Sequence, residues 1–136
     1  MLQGAHFSVR NTFSRHERLK SRKLLARLFA EGHSLQTRTL RVVWLPLHED
    51  LPALAQVAFG VSKKNIKKAV ERNRTKRLMR EAYRLRKAVF YKSLDEKNVR
   101  VILLLIYTGR DVPAFEEVFK QTGILLQRIL DSLPRQ

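Results

Sequence analysis

The chain has 136 residues and a mass of 16.0 kDa, the size of one domain. Twenty-eight Lys and Arg against twelve acids give a formal net charge of +16, yet 44% of the residues are hydrophobic and only five are Gly and four Pro, which excludes a disordered basic tail. There is no Cys, so disulfide frameworks, thiolate zinc sites and cysteine nucleophiles are excluded as well.

Residues 1–17 show no period and read as a loose N-terminal arm from which Phe7 and Phe13 can dock; residues 18–133 read as the folded core of a single domain spanning 1–136. The opening residues carry no apolar stretch of the secretory type, and no apolar run approaches the roughly 18–20 residues of a membrane span. Ser21 caps a helix that runs to about Glu31 and stops at Gly32, with Leu24/Leu28 and Leu25/Phe29 as two i,i+4 ridges. An extended piece around 35–37 precedes strand-like runs at 40–45 and 54–61. Residues 65–91 follow a helical period. Leu78, Ala82, Leu85 and Val89 form an apolar stripe expected to pack on the sheet, and Arg72, Lys76, Arg80, Tyr83 and Lys87 form a basic ridge. Residues 99–108 become uniformly apolar, as a central strand does. Pro113 suits the first position of a last helix, Glu116 and Glu117 its first turn, and Phe115, Val118, Phe119, Thr122, Leu125, Leu126, Ile129 and Leu133 its packing face. The order α-β-β-β-α-β-α predicts an α+β sandwich with a mixed sheet.

The charge is not spread evenly. Residues 60–92 hold thirteen Lys and Arg against Glu71 and Glu81, residues 1–33 hold seven against two, and the remaining segments balance. Like charge concentrated in this way repels itself and calls for a polyanion. Catalytic constellations are lacking. His6, His16, His33 and His48 are isolated from one another, the acids are sparse, and Gly60, Gly109 and Gly123 stand alone rather than in a phosphate-cradling loop. No catalytic residue is therefore assigned, and metal-site residues are left open.

The informative stretch begins with Val61-Ser62-Lys63-Lys64, where a strand gives way to a helix whose open N–H groups favour phosphate. Arg72, Lys76 and Arg80 then follow at about 6 Å per step, a pitch suited to a phosphate backbone. Asn73 is out of place in a helix interior unless its amide meets a base or ribose, and Arg74 falls near the apolar stripe, which leaves a structural and an RNA-binding reading both open. Phe29, Phe59 and Trp44 are the rings on which a base can stack.

These residues carry a resemblance. Phe29-Ala30-Glu31-Gly32, Gly60-Val61-Ser62-Lys63-Lys64, Ala69-Val70, Arg72-Asn73-Arg74-Thr75-Lys76-Arg77 and Arg80-Glu81-Ala82 together resemble the protein subunit of bacterial ribonuclease P over most of the chain. The resemblance implies a helper of a catalytic RNA subunit, with Mg2+ acting with that RNA. The ribonucleoprotein would cleave the 5′ leader from precursor tRNA in the bacterial cytoplasm, and the chain alone would be non-catalytic. It implies ribonuclease P RNA and the single-stranded leader as partners, neither membrane nor DNA, and a left-handed β-α-β crossover around the signature helix. Lys63, Lys64, Lys67, Lys68, Arg72, Asn73, Arg74, Lys76, Arg77 and Arg80 are then the RNA-binding set, and Leu25, Phe29, Val43 and Phe59 the leader cleft. Two departures stand out: Leu25 replaces a second cleft phenylalanine, and Lys67 and Lys68 occupy a stretch that is smaller and less charged in the family. The competing reading from the residues alone is a structural RNA-binding protein of ribosomal type; a duplex-DNA reader lacks its helix-turn-helix, zinc module or heptads.

Overall fold

Two interleaved sets of apolar residues run along the strands, and the fold is the arrangement that covers both. The computed structural model describes residues 12–134. A 3-10 turn at Arg15–Glu17 is followed by α1 (Arg22–Glu31), β1 (His33–Gln36), β2 (Leu40–Leu47), β3 (Ala55–Val61), α2 (Ala69–Lys97), β4 (Arg100–Tyr107) and α3 (Phe115–Ser132). The sheet order is β1-β2-β4-β3, antiparallel except for the β3–β4 pair, so β4 is central and α2 is the crossover between parallel neighbours. The expected element order and mixed sheet are present.

Local chemistry sets the boundaries. The Ser21 hydroxyl oxygen accepts from the Leu24 N–H, which fixes the start of α1. Asn98 ends α2 in the left-handed region at φ 54°, where its N–H and that of Val99 close the last turn. The last helix begins at Phe115, so Pro113 lies before its cap and not in its first turn.

One face of the sheet shows Leu40, Val42 and Trp44 of β2, Val57 of β3 and Val101, Leu103 and Leu105 of β4, all buried beneath α2 and α3. The other face shows Val43, Leu45, Leu47 and Ile102, against which α1 lays Leu28 with Leu24 and Leu25 beside it. Gln121, buried on α3, bonds Thr37 Oγ1 and the Thr39 N–H through Oε1, tying the β1–β2 turn to the helical layer.

The rotation of α2 departs from the expected stripe. Its buried side is Thr75, Met79, Ala82, Tyr83, Lys87, Phe90, Tyr91 and Leu94, whereas Leu85 is 43% and Val89 68% exposed. The expected basic ridge likewise turns inward at Tyr83 and Lys87, which are fully enclosed. Three large aromatic rings bury more apolar area than Leu78, Leu85 and Val89 offer, so they take the sheet side.

Enclosing Lys87 requires a counter-charge, and it comes from the N-terminal segment. Lys87 Nζ sits 2.6 Å from Glu17 Oε2 and also donates to the Thr12 carbonyl. The Tyr91 hydroxyl donates to the same carboxylate oxygen at 2.7 Å, so the Tyr83 hydroxyl, 2.9 Å away, is the donor to Tyr91. The Ser14 N–H fills Glu17 Oε1 at 2.9 Å. Residues 12–17, expected in a loose arm, are therefore docked, and the Leu19 N–H continues the contact by bonding the Val57 carbonyl at the β3 edge. Residues 1–11 of that arm, Phe7 included, lie outside the described residues.

Burial alone raises the Glu17 pKa, but the Lys87, Ser14 and Tyr91 hydrogen bonds and the Lys87 charge outweigh it and lower the value overall. A lowered native pKa gives stability that is present above the ordinary glutamate value near 4.5 and is lost as pH falls through the native value. Urea titrations at pH 7 and at stepped acid pH check this: Glu17→Gln flattens the stability profile below pH 4.5. At neutral pH, Lys87→Met strands the carboxylate and costs about 3–5 kcal/mol.

Candidate nucleic-acid interface

The link between β3 and α2 is a structured turn, not the first turn of a helix. The N–H groups of Asn65 and Ile66 both bond the Ser62 carbonyl, the Asn65 amide donates to the Thr108 carbonyl at 3.0 Å, and Ile66 is buried. Asn65 thus spends its side chain on the loop, which is why α2 starts at Ala69 rather than at residue 65. With the backbone held inward, Lys63, Lys64, Lys67 and Lys68 all stay exposed.

Arg72 belongs to this scaffold. Its Nη1 donates to the carbonyls of Ile66 at 2.9 Å and Lys67 at 2.6 Å, clamping the turn against the first turn of α2. Asn73, Arg74 and Arg77 are exposed and Lys76 is half-buried; none of the four makes a side-chain bond among the described residues. Arg74 points away from the core, so its structural reading lapses. Arg80 lies with its guanidinium carbon 5.7 Å from the centre of the Phe59 ring. One turn on, Arg84 pairs with Glu81 at 2.6 Å. Asn73, Arg77, Arg80 and Arg84 therefore share one flank of α2 at i, i+4, i+7 and i+11.

The other sheet face forms a second candidate surface. α1 packs over β2 and β4, leaving Ala58, Gly60, Leu104 and Ile106 half-buried and Arg41 exposed in an open shelf beside it. Phe29 stands out from the end of α1, 68% exposed, while Leu25 and Val43 are in the packing beneath it. Phe59 is not in this groove. In β3 the residues facing α1 are Gln56, Ala58 and Gly60, and Phe59 points to the opposite face, edge-on to Phe13 at 5.8 Å and Tyr83 at 6.0 Å. Trp44 is likewise buried on that face, with the His33 ring tilted at 46° against it, 4.9 Å between centres. Sequence reading misses Arg41, Gly60, Leu104 and Ile106; counting in twos from Val43 through the strand register finds them.

Among the described residues no group of three or more His, Cys, Asp or Glu converges on a metal-sized site.

A family model described as Ribonuclease P matches residues 13–130, from the docked Phe13 into the last turn of α3. The chain belongs to the ribonuclease P protein family. A ribonuclease P protein component of Chlorobium phaeobacteroides is 34% identical over 140 residues, covering 95% of this chain and 93% of the relative. One from Porphyromonas gingivalis is 34% identical over 121 residues, covering 89% and 88%. Among solved structures, the RNase P protein from Thermotoga maritima superposes with a TM-score of 0.64 at 26% identity, over 82% of this chain and 96% of the other. That of Staphylococcus aureus gives 0.65 at 21% identity over 83% and 94%, a likeness of fold. Ribonuclease P is an endoribonuclease of tRNA processing whose protein component is itself non-catalytic.

Within the ribonuclease P protein fold, Gly32 sets how closely α1 approaches the sheet. A Cβ there would land on the Leu28 carbonyl and 2.9 Å from Val43 Cγ1, backbone on one side and packed core on the other. Gly32→Ala is expected to cost about 1–3 kcal/mol in urea titration, as overpacking does, and to shift Phe29 relative to the shelf.

Proposed function

We propose that this chain is the protein subunit of a cytoplasmic bacterial ribonuclease P, holding the catalytic RNA on the turn lysines and the α2 flank and the 5′ leader of precursor tRNA on the shelf beside α1. The observation that carries the reading is that Asn73, Arg74, Lys76 and Arg77, in the run that resembles the family signature, are left without side-chain partners beside four exposed lysines. A row of unpaired cations displaces condensed counterions from a phosphate backbone, and that release drives binding. Lys63, Lys64, Lys67 and Lys68 would take phosphates at the mouth of the turn, and Arg77 and Arg80 would follow the backbone along α2. The Asn73 amide has both donors and its acceptor open for a base edge or ribose. Arg72 acts one step back, by holding the turn that presents the lysines.

On the shelf, Phe29 offers a free ring face for an unpaired base and Arg41 a cation beside the strand path. Fixing the leader there turns encounter of the scissile bond with the RNA active centre into a positioned event. Magnesium, when bound with the RNA, supplies charge neutralisation and the chemistry of phosphodiester hydrolysis. This chain's residues grip and orient. No helix among the described residues is long and apolar enough to cross a membrane.

The test is cleavage of a 5′-extended precursor tRNA at low magnesium by a bacterial ribonuclease P RNA, with and without the chain, and by the chain alone. Cleavage at the mature 5′ end only with both present is expected; tight RNA binding without rescue would instead favour a structural RNA-binding protein. Arg77→Ala should weaken RNA-subunit binding and lower the magnitude of its salt slope by about 1 or less, with the fold unchanged by circular dichroism. Phe29→Ala should lose about 1–3 kcal/mol of affinity for leader-bearing precursor and nothing for mature tRNA, read by competition binding.

A further inference from the structure

Two members of the apolar stripe of α2, Leu85 and Val89, are not used by the sheet and remain on the surface. Leu85 and Val89 are 43% and 68% exposed, and they line a groove between α2 and α3 floored by Phe119, Leu126 and Leu130. At 100° per residue this side of α2 lies roughly 130° around the helix from Asn73, Arg77, Arg80 and Arg84. An RNA held on that flank leaves the groove open.

The groove has two compartments of about 260 and 410 Å³ that share Arg86, Gly123 and Gln127. Arg86 is fixed between them. Its guanidinium carbon is 3.9 Å from the centre of the Phe119 ring and its Nε donates to the Phe119 carbonyl at 3.2 Å. Gly123 makes room for it, since a Cβ there would come within 2.9 Å of Arg86 Cζ. Lys120 and Arg128 complete a cationic rim around Ile124, and no carboxylate lines either compartment. None of these three cations has an acidic partner among the described residues.

We infer that this α2–α3 groove is a docking site for an acidic amphipathic helix of a partner protein, a role beyond RNA binding. A groove between two neighbouring helices accepts the row of apolar side chains that one face of a third helix presents at i, i+3, i+4 and i+7. Carboxylates flanking that row would meet Arg86, Lys120 and Arg128, so the charge of the rim selects an acidic partner. A second copy of this chain is disfavoured by its net charge of +16. RNA is disfavoured by the floor. Leu85, Val89, Leu126 and Leu130 offer a base neither a stacking ring nor a hydrogen bond, and the Phe119 ring is already covered by Arg86.

The probe is a fluorescein-labelled synthetic peptide of about 18 residues, five helical turns, with Leu on one face and Glu flanking it. It is titrated by anisotropy at physiological salt against the full chain saturated with a bacterial ribonuclease P RNA. Saturable binding is expected, at least tenfold tighter than for a scrambled peptide of the same composition. Val89→Asp should weaken it at least tenfold, and Arg86→Gln should weaken it as well. Equal binding of the scrambled peptide, indifference to Val89→Asp, or displacement of the peptide by single-stranded RNA would overturn the inference. So would a Val89-dependent dimer in sedimentation, which would make a second copy the occupant. Precursor cleavage and RNA affinity are read on the same Val89→Asp protein and should be unchanged. A loss there would make the groove part of the RNA interface and overturn the inference. Failure of the wild-type chain to support cleavage, with peptide binding intact, would instead sink the RNA reading alone.

Discussion

The rotation of α2 about its own axis decides what every other surface of this protein can do, and a buried ion pair fixes it. With Lys87 turned inward onto Glu17 and Tyr91, Asn73, Arg77 and Arg80 are turned outward on one flank while Leu85 and Val89 emerge on the other. Rotating the helix by roughly 100°, the angle of one residue, in the sense that carries Lys87 into water would turn Leu85 and Val89 onto the sheet. Two enclosed charges that meet each other are a poor source of net stability but a strict condition on geometry, because each alone in the core is costly. Glu17 also connects this condition to the chain start, so the same contact that orients the helix holds residues 12–17 along the edge of β3.

The rest of the fold is asymmetric around that helix. One sheet face is roofed by two long helices, the other by α1, ten residues long, which covers β2 and β4 and leaves the β3 side open. Gly60 and Ala58 keep this open side low, and Gly32 brings α1 down close to Val43. The exposed flank of α2 and the open shelf are thus products of one economy of covering: each is a surface that the core does not need.

Much of this is legible in the sequence, and the failures have a common cause. Element order, the cap at Ser21, the central strand and the clustering of cations all depend on neighbours within a few positions. The signature run is local too. The rotation of α2 is not, because Lys87 reads as a solvent residue until Glu17, seventy residues away in sequence, is brought against it. Local periodicity therefore picks Leu78, Ala82, Leu85 and Val89, a real stripe but the weaker of two. The resemblance puts Phe59 with the leader cleft, and strand parity sends it to the other face. Arg72 sits in the signature yet serves the turn, since its carbonyl partners at Ile66 and Lys67 become visible only once the loop is folded. Asn65 similarly looks like helix until its amide finds the Thr108 carbonyl.

The central position of β4 has a consequence for how the chain comes to be folded. It is the last strand in sequence, yet β2 and β3 meet only through it, and Glu17 waits for Lys87 on the helix that precedes it. During synthesis the β1–β2 hairpin can close early, but the sheet stays in two unjoined pieces until β4 has left the ribosome. Joining the sheet then requires contacts between distant segments, as in other mixed α/β domains, whose folding rates lie between those of helical bundles and all-β folds. Until that moment the apolar residues of β2 and β3 have only transient cover, and the nascent chain depends on its own high charge to stay in solution.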